Sequence, residues 1–323
     1  MKVEQRPAES KERDAITDKA TLLRLYREML LIRRFEEKTA EMYQKARIGG
    51  FCHLNIGEEA SIVGTISALR PADYVYSTYR EHGHAIAKGI DPKAVMAELF
   101  GKETGTSHGR GGSMHLFSQE HRFYGGYAIN YKGTDEVVMS SFGDGATNIG
   151  GFHEALNVAK LWHLPIVFVC VNNLYGMGTA VNRASAVTEI WKKACAYDMT
   201  SERVDGMDVL AVRRVTDQLV ALAREKHEPS LLECVTYRYR GHSMSDPDTY
   251  RGKDEIKEWQ TRDPILTLGE QMKRQKMLTD ADIEKLDDEV TAQVEDAVKF
   301  AEESPEPDPK DLYRDVYAEE GAA

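Results

Sequence analysis

The chain has 323 residues and a formal net charge of −11, and it is long enough for one large domain or two. The acidic balance argues against nucleic acid or an anionic membrane surface as a partner, and no apolar run approaches the about 18 residues of a membrane-spanning helix. The first residues lack the features of a signal or transit peptide. The widely spaced cysteines predict reduced thiols in a cytoplasmic protein, not a zinc site or disulfide framework: Cys52, Cys170, Cys195 and Cys234.

The N-terminal part predicts helices around one short strand. Apolar residues recur at spacings of three and four over residues 22–42, which indicates a long amphipathic helix ending before Gly49 and Gly50. The segment FCHLNIGEEA then leads into a helix predicted over residues 58–69, and a strand is predicted over residues 73–77. The first helix is best interpreted as scaffold.

The motif TYREHG follows that strand directly, where a loop can supply ligand contacts. Its Arg80 can fork onto a phosphate, although an arginine taken at random is more often a solvated surface residue. Further on, the glycine-rich segment GTSHGRGGSMH at residues 105–115 predicts a loop shaped for close backbone approach or for mobility. His108 and His115 lack partners at metal-ligand spacing, so we favour a structural role for both.

The central stretch, residues 137–178, predicts a βαβ unit with polar residues at both strand ends. Because the carboxyl ends of parallel strands share one edge of a sheet, Asp144 and Asn173 should lie close together. Their carboxylate and amide oxygens, with backbone carbonyls of the next loop, are hard ligands that suit Mg²⁺ beside substrate phosphates. Gly143 and Gly145 leave room for a diphosphate, and a helix predicted from Ala146 adds its N-terminal dipole.

Two other interpretations of this unit remain. A dinucleotide-binding fingerprint needs glycine where Asn148 stands and an acidic residue where Asn172 ends the next strand, so a nucleotide-dependent dehydrogenase is weakly supported. The Asp-Gly turn and the Asn-Asn loop are also compatible with plain structural roles.

Downstream, the pattern predicts a helix over residues 209–226 and a strand over residues 231–239. The strand delivers the loop RGHSMSDP to the same edge of the sheet, and its Gly, Ser, Asp and Pro residues predict a flexible loop that orders on binding an anion. From Lys253 onward the chain is charged and helical in pattern, and the last helix ends at Ser304 and Pro305.

Several motifs together resemble one family: FCHLNIGEEA, TYREHG, GRGGSMH, GDG with NN 26 residues later, NNLYGMGT and YRGHSMSDP. They are similar to the alpha subunit of the heteromeric decarboxylase component of 2-oxo acid dehydrogenase complexes, and YRGHSMSDP resembles its pyruvate branch more than its acetoin or branched-chain branches. The resemblance implies an α/β fold, a mainly parallel sheet with helices on both faces, that forms the diphosphate-binding half of a thiamine diphosphate site.

The resemblance also implies roles for individual residues. Mg²⁺ would be held by Asp144, Asn173 and the carbonyl of Tyr175, and the diphosphate would contact Tyr79, Arg80 and His242. The remaining implied residues are Gly145 and Ala146 at the cofactor, Ala128 and Ile129 beside the aminopyrimidine ring, and His82 together with His242 as catalytic residues.

The implied activity is thiamine-dependent decarboxylation of pyruvate and transfer of the acetyl group to the lipoyl group of an acyltransferase partner. Thiamine catalysis needs a carboxylate beside the aminopyrimidine, and the family places it on a beta subunit. The chain is therefore expected to work in a heterotetramer of two alpha and two beta chains. The expected sequence segments are an N-terminal helical arm (1–50), the cofactor-binding α/β domain (51–252) and a C-terminal helical extension (253–323).

One departure from the family stands out. The family has an apolar helix of about four turns, roughly 15 residues, after the position of Ile129, whereas no helix is predicted between there and Val137. Losing it should expose apolar surface on the next strand. A non-catalytic or impaired paralogue that keeps the fold is therefore an alternative to an ordinary catalytic subunit.

Overall fold

The computed structural model describes residues 18–124 and 135–314, and all strands named here lie in those ranges. The strands are β1 Tyr74–Tyr76, β2 Val138–Gly143, β3 Ile166–Asn172, β4 Tyr175–Gly176, β5 Thr179–Ala180, β6 Thr200–Asp205 and β7 Ser230–Val235. Five of them form one parallel sheet in the order β1-β2-β3-β7-β6, while β4 and β5 form a small antiparallel hairpin. The expected α/β fold with a mainly parallel sheet is confirmed.

The helices are α1 Lys19–Gln44, α2 Glu59–Ile66, α3 His82–Ala87, α4 Pro92–Leu99, α5 Gly150–Leu161, α6 Val181–Ala184, α7 Val209–Lys226, α8 Lys253–Gln260, α9 Pro264–Arg274 and α10 Asp280–Glu303. Short 3₁₀ segments occupy Gly112–Met114, Asp144–Asn148, Ile190–Tyr197 and Pro309–Tyr313. The bounds of α7 agree with the sequence prediction. The first helix begins earlier than predicted because the Asp18 side chain caps it, accepting a hydrogen bond from the Thr21 amide at 2.8 Å.

The central strand β3 explains how helices come to cover both faces of the sheet. Its alternate residues Val167, Val169 and Val171 belong to a large apolar core, whereas Ile166, Phe168 and Cys170 belong to a second one. The large core also contains buried residues of α1, α4, α7, α9 and α10, and the second contains residues of α5. The N-terminal arm and the C-terminal extension therefore share a core with the sheet.

Two sequence predictions at the sheet edge were wrong. The helix expected from Ala146 is a 3₁₀ segment, Asp144–Asn148, and α5 begins only at Gly150. The last strand was predicted to reach residue 239 but ends at Val235. Beyond it the chain leaves the sheet to meet the segment before α2, because the Tyr239 amide donates a hydrogen bond to the Ile56 carbonyl at 2.9 Å.

Among the helices of residues 18–124 and 135–314, none combines the length and the apolar character needed to cross a membrane.

Candidate active site

A cavity of about 350 Å³ lies at the carboxyl ends of the parallel strands. The loops after β1, β2, β3 and β7 all reach it, as expected for an open parallel sheet. The lining includes most of the site residues predicted from the sequence: Tyr79, Arg80, Asp144, Gly145, Ala146, Asn173, Tyr175 and His242. Ala128 and Ile129 lie outside the described residues, so their assignment stays a prediction.

The acidic side of this cavity centres on Asp144. Its side chain is buried, and it forms no ion pair within the described parts of the chain. Burial, with Glu58 and Glu233 nearby, raises the pKa of Asp144 to about 6. Arg238 in the same cavity opposes this rise, but a buried carboxylate without a direct ion pair among the described residues still favours either a proton or a bound cation.

Glu58 orients the side-chain amide of Asn173. The Asn173 Nδ2 atom donates a hydrogen bond to Glu58 Oε1 at 2.7 Å, and Asn55 Nδ2 donates to Glu58 Oε2 at 3.1 Å. In this orientation the Asn173 Oδ1 atom points to the following loop, where it accepts a hydrogen bond from the Tyr175 backbone amide at 3.4 Å. Asp144, Asn173 and the Tyr175 backbone thus offer a carboxylate, an amide and a carbonyl oxygen, the ligand types that Mg²⁺ prefers.

Two backbone segments come unusually close at the bottom of the cavity. A Cβ atom built on Gly145 would lie 3.3 Å from the Cα atom of Gly176 in the β4–β5 hairpin. A side chain at residue 145 would press the two strand-end loops apart. The glycine therefore keeps the loop after β2 against the loop after β3, as the metal assignment requires.

The cationic side of the cavity is formed by two buried guanidinium groups. Arg80 donates to the carbonyls of Leu54 and His242, both at 2.7 Å, and Arg238 donates to the carbonyl of Arg240 at 3.0 Å. Neither arginine forms an ion pair within the described ranges, and burial together with Arg238 lowers the pKa of Arg80. Two buried cations without direct ion pairs among the described residues favour a bound anion in this cavity.

Sequence reasoning missed Arg238, although it is 1% exposed and lines the cavity. The sequence prediction placed it inside a strand, where its side chain direction carries no sign of function. The early end of β7 instead puts it in a segment between the sheet and the loop that carries His242. An arginine close after the end of a parallel strand was the available signal.

A wall of three rings borders the cavity. The ring of His53 lies 4.7 Å from that of Tyr79 and 5.2 Å from that of His242, measured between centroids. Burial and the charge of Arg80 lower the pKa of His53 to about 3 and that of His242 to about 4. Both imidazoles are therefore neutral at physiological pH, and the buried Nδ1 atoms of both have no hydrogen-bond partner in the part of the chain that the structure describes. The sequence motifs did not single out His53.

His82 does not line this cavity, and its catalytic role stays a prediction. The residue is fully buried, its Nδ1 atom lies 3.0 Å from Glu36 Oε2, and its Nε2 atom lies 2.8 Å from Ser113 Oγ. Both ring nitrogens of His82 therefore contact side chains that do not line the cavity. His84, two residues further along α3, lines the cavity instead.

A second, wider cavity of about 580 Å³ adjoins the first and shares Thr78, Tyr79 and Ala146 with it. Its wall is rich in aromatic side chains, including Tyr76, Phe142, Phe152 and Phe168. The described residues that line it include no aspartate or glutamate.

Comparisons with known proteins agree with this geometry. A family model described as Dehydrogenase E1 component matches residues 27–310. The chain is 45% identical over 310 residues to the pyruvate dehydrogenase E1 component subunit alpha of Rhizobium meliloti (strain 1021), with 91% of this chain and 89% of the relative covered. The corresponding subunit of Porphyra purpurea is 44% identical over 323 residues, covering 93% and 94% of the two chains. Pyruvate dehydrogenase E1 component subunit alpha-3, chloroplastic, of Arabidopsis thaliana is 43% identical over 318 residues, covering 92% and 74%. The resemblance found in the motifs is confirmed, and the chain belongs to the dehydrogenase E1 component family, with relatives that are alpha subunits of pyruvate dehydrogenase.

Proposed function

We propose that the chain is the alpha subunit of a thiamine diphosphate- and Mg²⁺-dependent pyruvate dehydrogenase. The observation that carries the proposal is the charge arrangement of the first cavity. Asp144 is a buried carboxylate, and it shares the cavity with the buried guanidinium groups of Arg80 and Arg238; none of the three forms an ion pair with another described residue. A diphosphate bound through a divalent cation satisfies both sides at once.

The residues present fit these groups. Asp144, Asn173 and the Tyr175 carbonyl would hold the metal ion, while Arg80, Arg238 and the neutral His242 would contact diphosphate oxygens. Thiamine diphosphate supplies the carbanion chemistry that decarboxylation of a 2-oxo acid requires. The chain's own residues bind and orient the charged end, and Gly145 keeps that end free of side chains.

A beta subunit is part of the proposal because the second cavity lacks an acid. Thiamine catalysis requires a carboxylate beside the aminopyrimidine, and none of the described residues lining that cavity is acidic. The relatives are named subunit alpha, which supports a second type of chain. We propose a heterotetramer of two alpha and two beta chains that passes the acetyl group to a lipoyl-bearing acyltransferase. The cytoplasmic location stays a prediction.

An impaired paralogue is the second candidate, and the apparent absence after Ile129 favours it. The alignment with the Rhizobium meliloti relative is 310 positions long, but it includes only 91% of this 323-residue chain, which is fewer than 310 residues. The relative therefore has residues without a counterpart here, which supports a missing segment. An acetoin or branched-chain enzyme is a further alternative, and the pyruvate dehydrogenase names of the relatives weigh against it.

The metal assignment is tested with Asp144→Ala in the complex with the beta subunit. We expect thiamine diphosphate affinity, measured by calorimetric titration over a range of Mg²⁺ concentrations, to fall by about two orders of magnitude or more. Asp288→Ala on the exposed side of α10 makes the same charge change away from the sheet and should bind as the parent does. Unchanged Mg²⁺ dependence in Asp144→Ala would remove that residue from the metal site.

A further inference from the structure

The glycine-rich loop at residues 105–115 is organised around a carboxylate of the chain itself. Glu98, in the last turn of α4, is fully buried. Its Oε2 atom accepts hydrogen bonds from the amides of Ser107 at 2.7 Å and Gly109 at 3.0 Å. Its Oε1 atom accepts from the amides of Gly111 at 2.7 Å and Gly112 at 3.0 Å. Converging backbone amides of this kind form an anion-binding nest, and here the anion is internal.

The glycines are explained by this arrangement. A Cβ atom on Gly105 would lie 2.4 Å from Glu98 Oε2. Gly109 has φ +72°, and a Cβ atom there would lie 2.4 Å from the Gly101 carbonyl carbon. The loop can therefore wrap the carboxylate only with glycine at these positions. Its amides are engaged by Glu98 and are not free to hold a ligand phosphate.

The loop leads directly to the ring wall of the first cavity. Its 3₁₀ segment Gly112–Met114 contains Ser113, whose hydroxyl oxygen accepts a hydrogen bond from the His53 amide at 3.2 Å. The same hydroxyl lies 2.8 Å from Nε2 of the buried His82. His53 in turn packs on Tyr79 and His242, with ring centroids 4.7 and 5.2 Å away. A continuous set of contacts thus connects Glu98 to the side chains at the cofactor cavity.

We propose that Glu98 is a positioning residue: by occupying the amide nest of the loop it fixes Ser113, and through Ser113 it holds His53 against Tyr79 and His242. Glu98 does not line the cavity. The part of this inference that concerns cofactor affinity rests on the proposed function, whereas the ordering of the loop and of His53 does not.

The test compares Glu98→Gln with Glu98→Asp, in the complex with the beta subunit. Glutamine replaces one acceptor oxygen by an NH₂ group that faces amide donors, so exchange of the amides at residues 107–112 should accelerate by about tenfold or more. The ¹⁵N chemical shifts of the His53 ring should change as well. Aspartate keeps both carboxylate oxygens on a shorter side chain, so Glu98→Asp should partly restore slow amide exchange in the loop and the parental His53 chemical shifts.

The matched controls are Glu103→Gln and Ser113→Ala. Glu103 precedes the loop and pairs with the exposed side chain of His108, so its substitution makes the same charge change but leaves all four nest amides on Glu98. Ser113→Ala should shift the His53 signals while leaving exchange at residues 107–111 unchanged, because it breaks the connection beyond the nest.

In Glu98→Gln and Ser113→Ala we expect weaker thiamine diphosphate binding, by about tenfold, with little change in the maximal rate. Parental exchange and parental His53 signals in Glu98→Gln would overturn the inference, and so would a loosened loop with unchanged His53 signals. If the parent complex binds no thiamine diphosphate, the proposed function fails, but the exchange and ring signals still decide the role of Glu98.

Discussion

At the scale of single residues, Arg238 shows how a site can be prepared for an anion. Its guanidinium group is buried, and among the described residues it donates hydrogen bonds to two neutral oxygens, the Arg240 carbonyl at 3.0 Å and the Tyr250 hydroxyl at 3.3 Å. A buried charge without an oppositely charged partner lowers the stability of the folded chain through its desolvation cost, and a bound anion offsets that cost. Removing the Arg238 charge should therefore weaken anion binding but should not lower the stability of the ligand-free protein.

We expect Arg238→Met to weaken thiamine diphosphate binding by about tenfold to hundredfold without lowering the thermal midpoint of the ligand-free protein. Calorimetric titration and thermal unfolding of the same preparation measure the two effects. Arg274→Met, at an exposed position of α9, is the control for the loss of one positive charge. A variant that is less stable and binds normally would show that Arg238 serves the scaffold.

Glu81 predicts a dependence of stability on pH. It is fully buried, one oxygen accepts from the Leu116 amide at 2.7 Å and the other has no hydrogen-bond partner among residues 18–124 and 135–314, so burial raises its pKa from 4.5 to about 8. The folded state then holds this proton more tightly than the unfolded state, and stability falls as pH rises from 4.5 through 8. His53, His84 and His242, whose pKa values are lowered by burial from 6.5, act in the opposite sense below pH 6.5.

Between pH 6.5 and 8 these histidines still contribute while their unfolded forms lose protons, so the difference between the parent and Glu81→Gln isolates Glu81. There the chain should lose about 1.5 kcal/mol of unfolding free energy that Glu81→Gln does not lose. Denaturant midpoints at both pH values, with exposed Glu120→Gln as the control, measure the difference. Equal slopes in parent and Glu81→Gln would show that the carboxyl group does not titrate in this range.

At the scale of elements, the loop that carries His242 is tied down by two side chains. Asp246 accepts from the His242 amide at 2.6 Å and from the Tyr250 hydroxyl at 2.9 Å. Arg251 donates to the carbonyls of Arg238 at 2.5 Å and Arg240 at 2.6 Å, and it packs over the rings of Tyr175, Tyr237 and Tyr250 at 5.1 to 5.9 Å. The loop composition alone predicted flexibility, and these long-range contacts supply the order that composition does not.

We expect Arg251→Gln to make residues 240–250 much more sensitive to limited proteolysis, and thiamine diphosphate with Mg²⁺ to restore most of the protection. The parent should be cut slowly with and without cofactor, and cofactor should still slow the cut. Arg262→Gln, in the exposed turn after α8, is the control. Equal cleavage of Arg251→Gln with and without cofactor would show that the loop does not close on the diphosphate.

At the scale of the whole molecule, strand β2 follows the connection in which the sequence predicts a missing segment. The sequence led us to expect exposed apolar surface on this strand, but Val137, Val138 and Met139 are at most 6% exposed. The aromatic side chains line the second cavity instead, near the carboxyl end of the strand. A missing segment would therefore affect ligand binding more than the core.

We expect a version with an apolar helix of about four turns inserted after Ile129 to bind thiamine diphosphate much more tightly and to give higher decarboxylase activity with the beta subunit. Burying apolar surface of the inserted helix against the aromatic wall favours its docking at roughly 25 cal/mol per Å². An insert of equal length made of glycine and serine is the control. Equal affinity and full turnover of the parent would mean that the segment is dispensable and that the chain is an ordinary catalytic subunit.

The sequence by itself determined the parallel sheet and the convergence of Asp144 with Asn173, because a buried βαβ unit places both strand ends on one edge whatever surrounds it. It also determined the bounds of α7, where the apolar period is regular and Asp208 caps the helix. Only the tertiary structure decided where β7 ends, that Arg238 enters the cavity, that His82 turns into the scaffold and that Glu98 fills the glycine loop. Each of these depends on partners distant in the chain or on side-chain direction, and local periodicity carries neither.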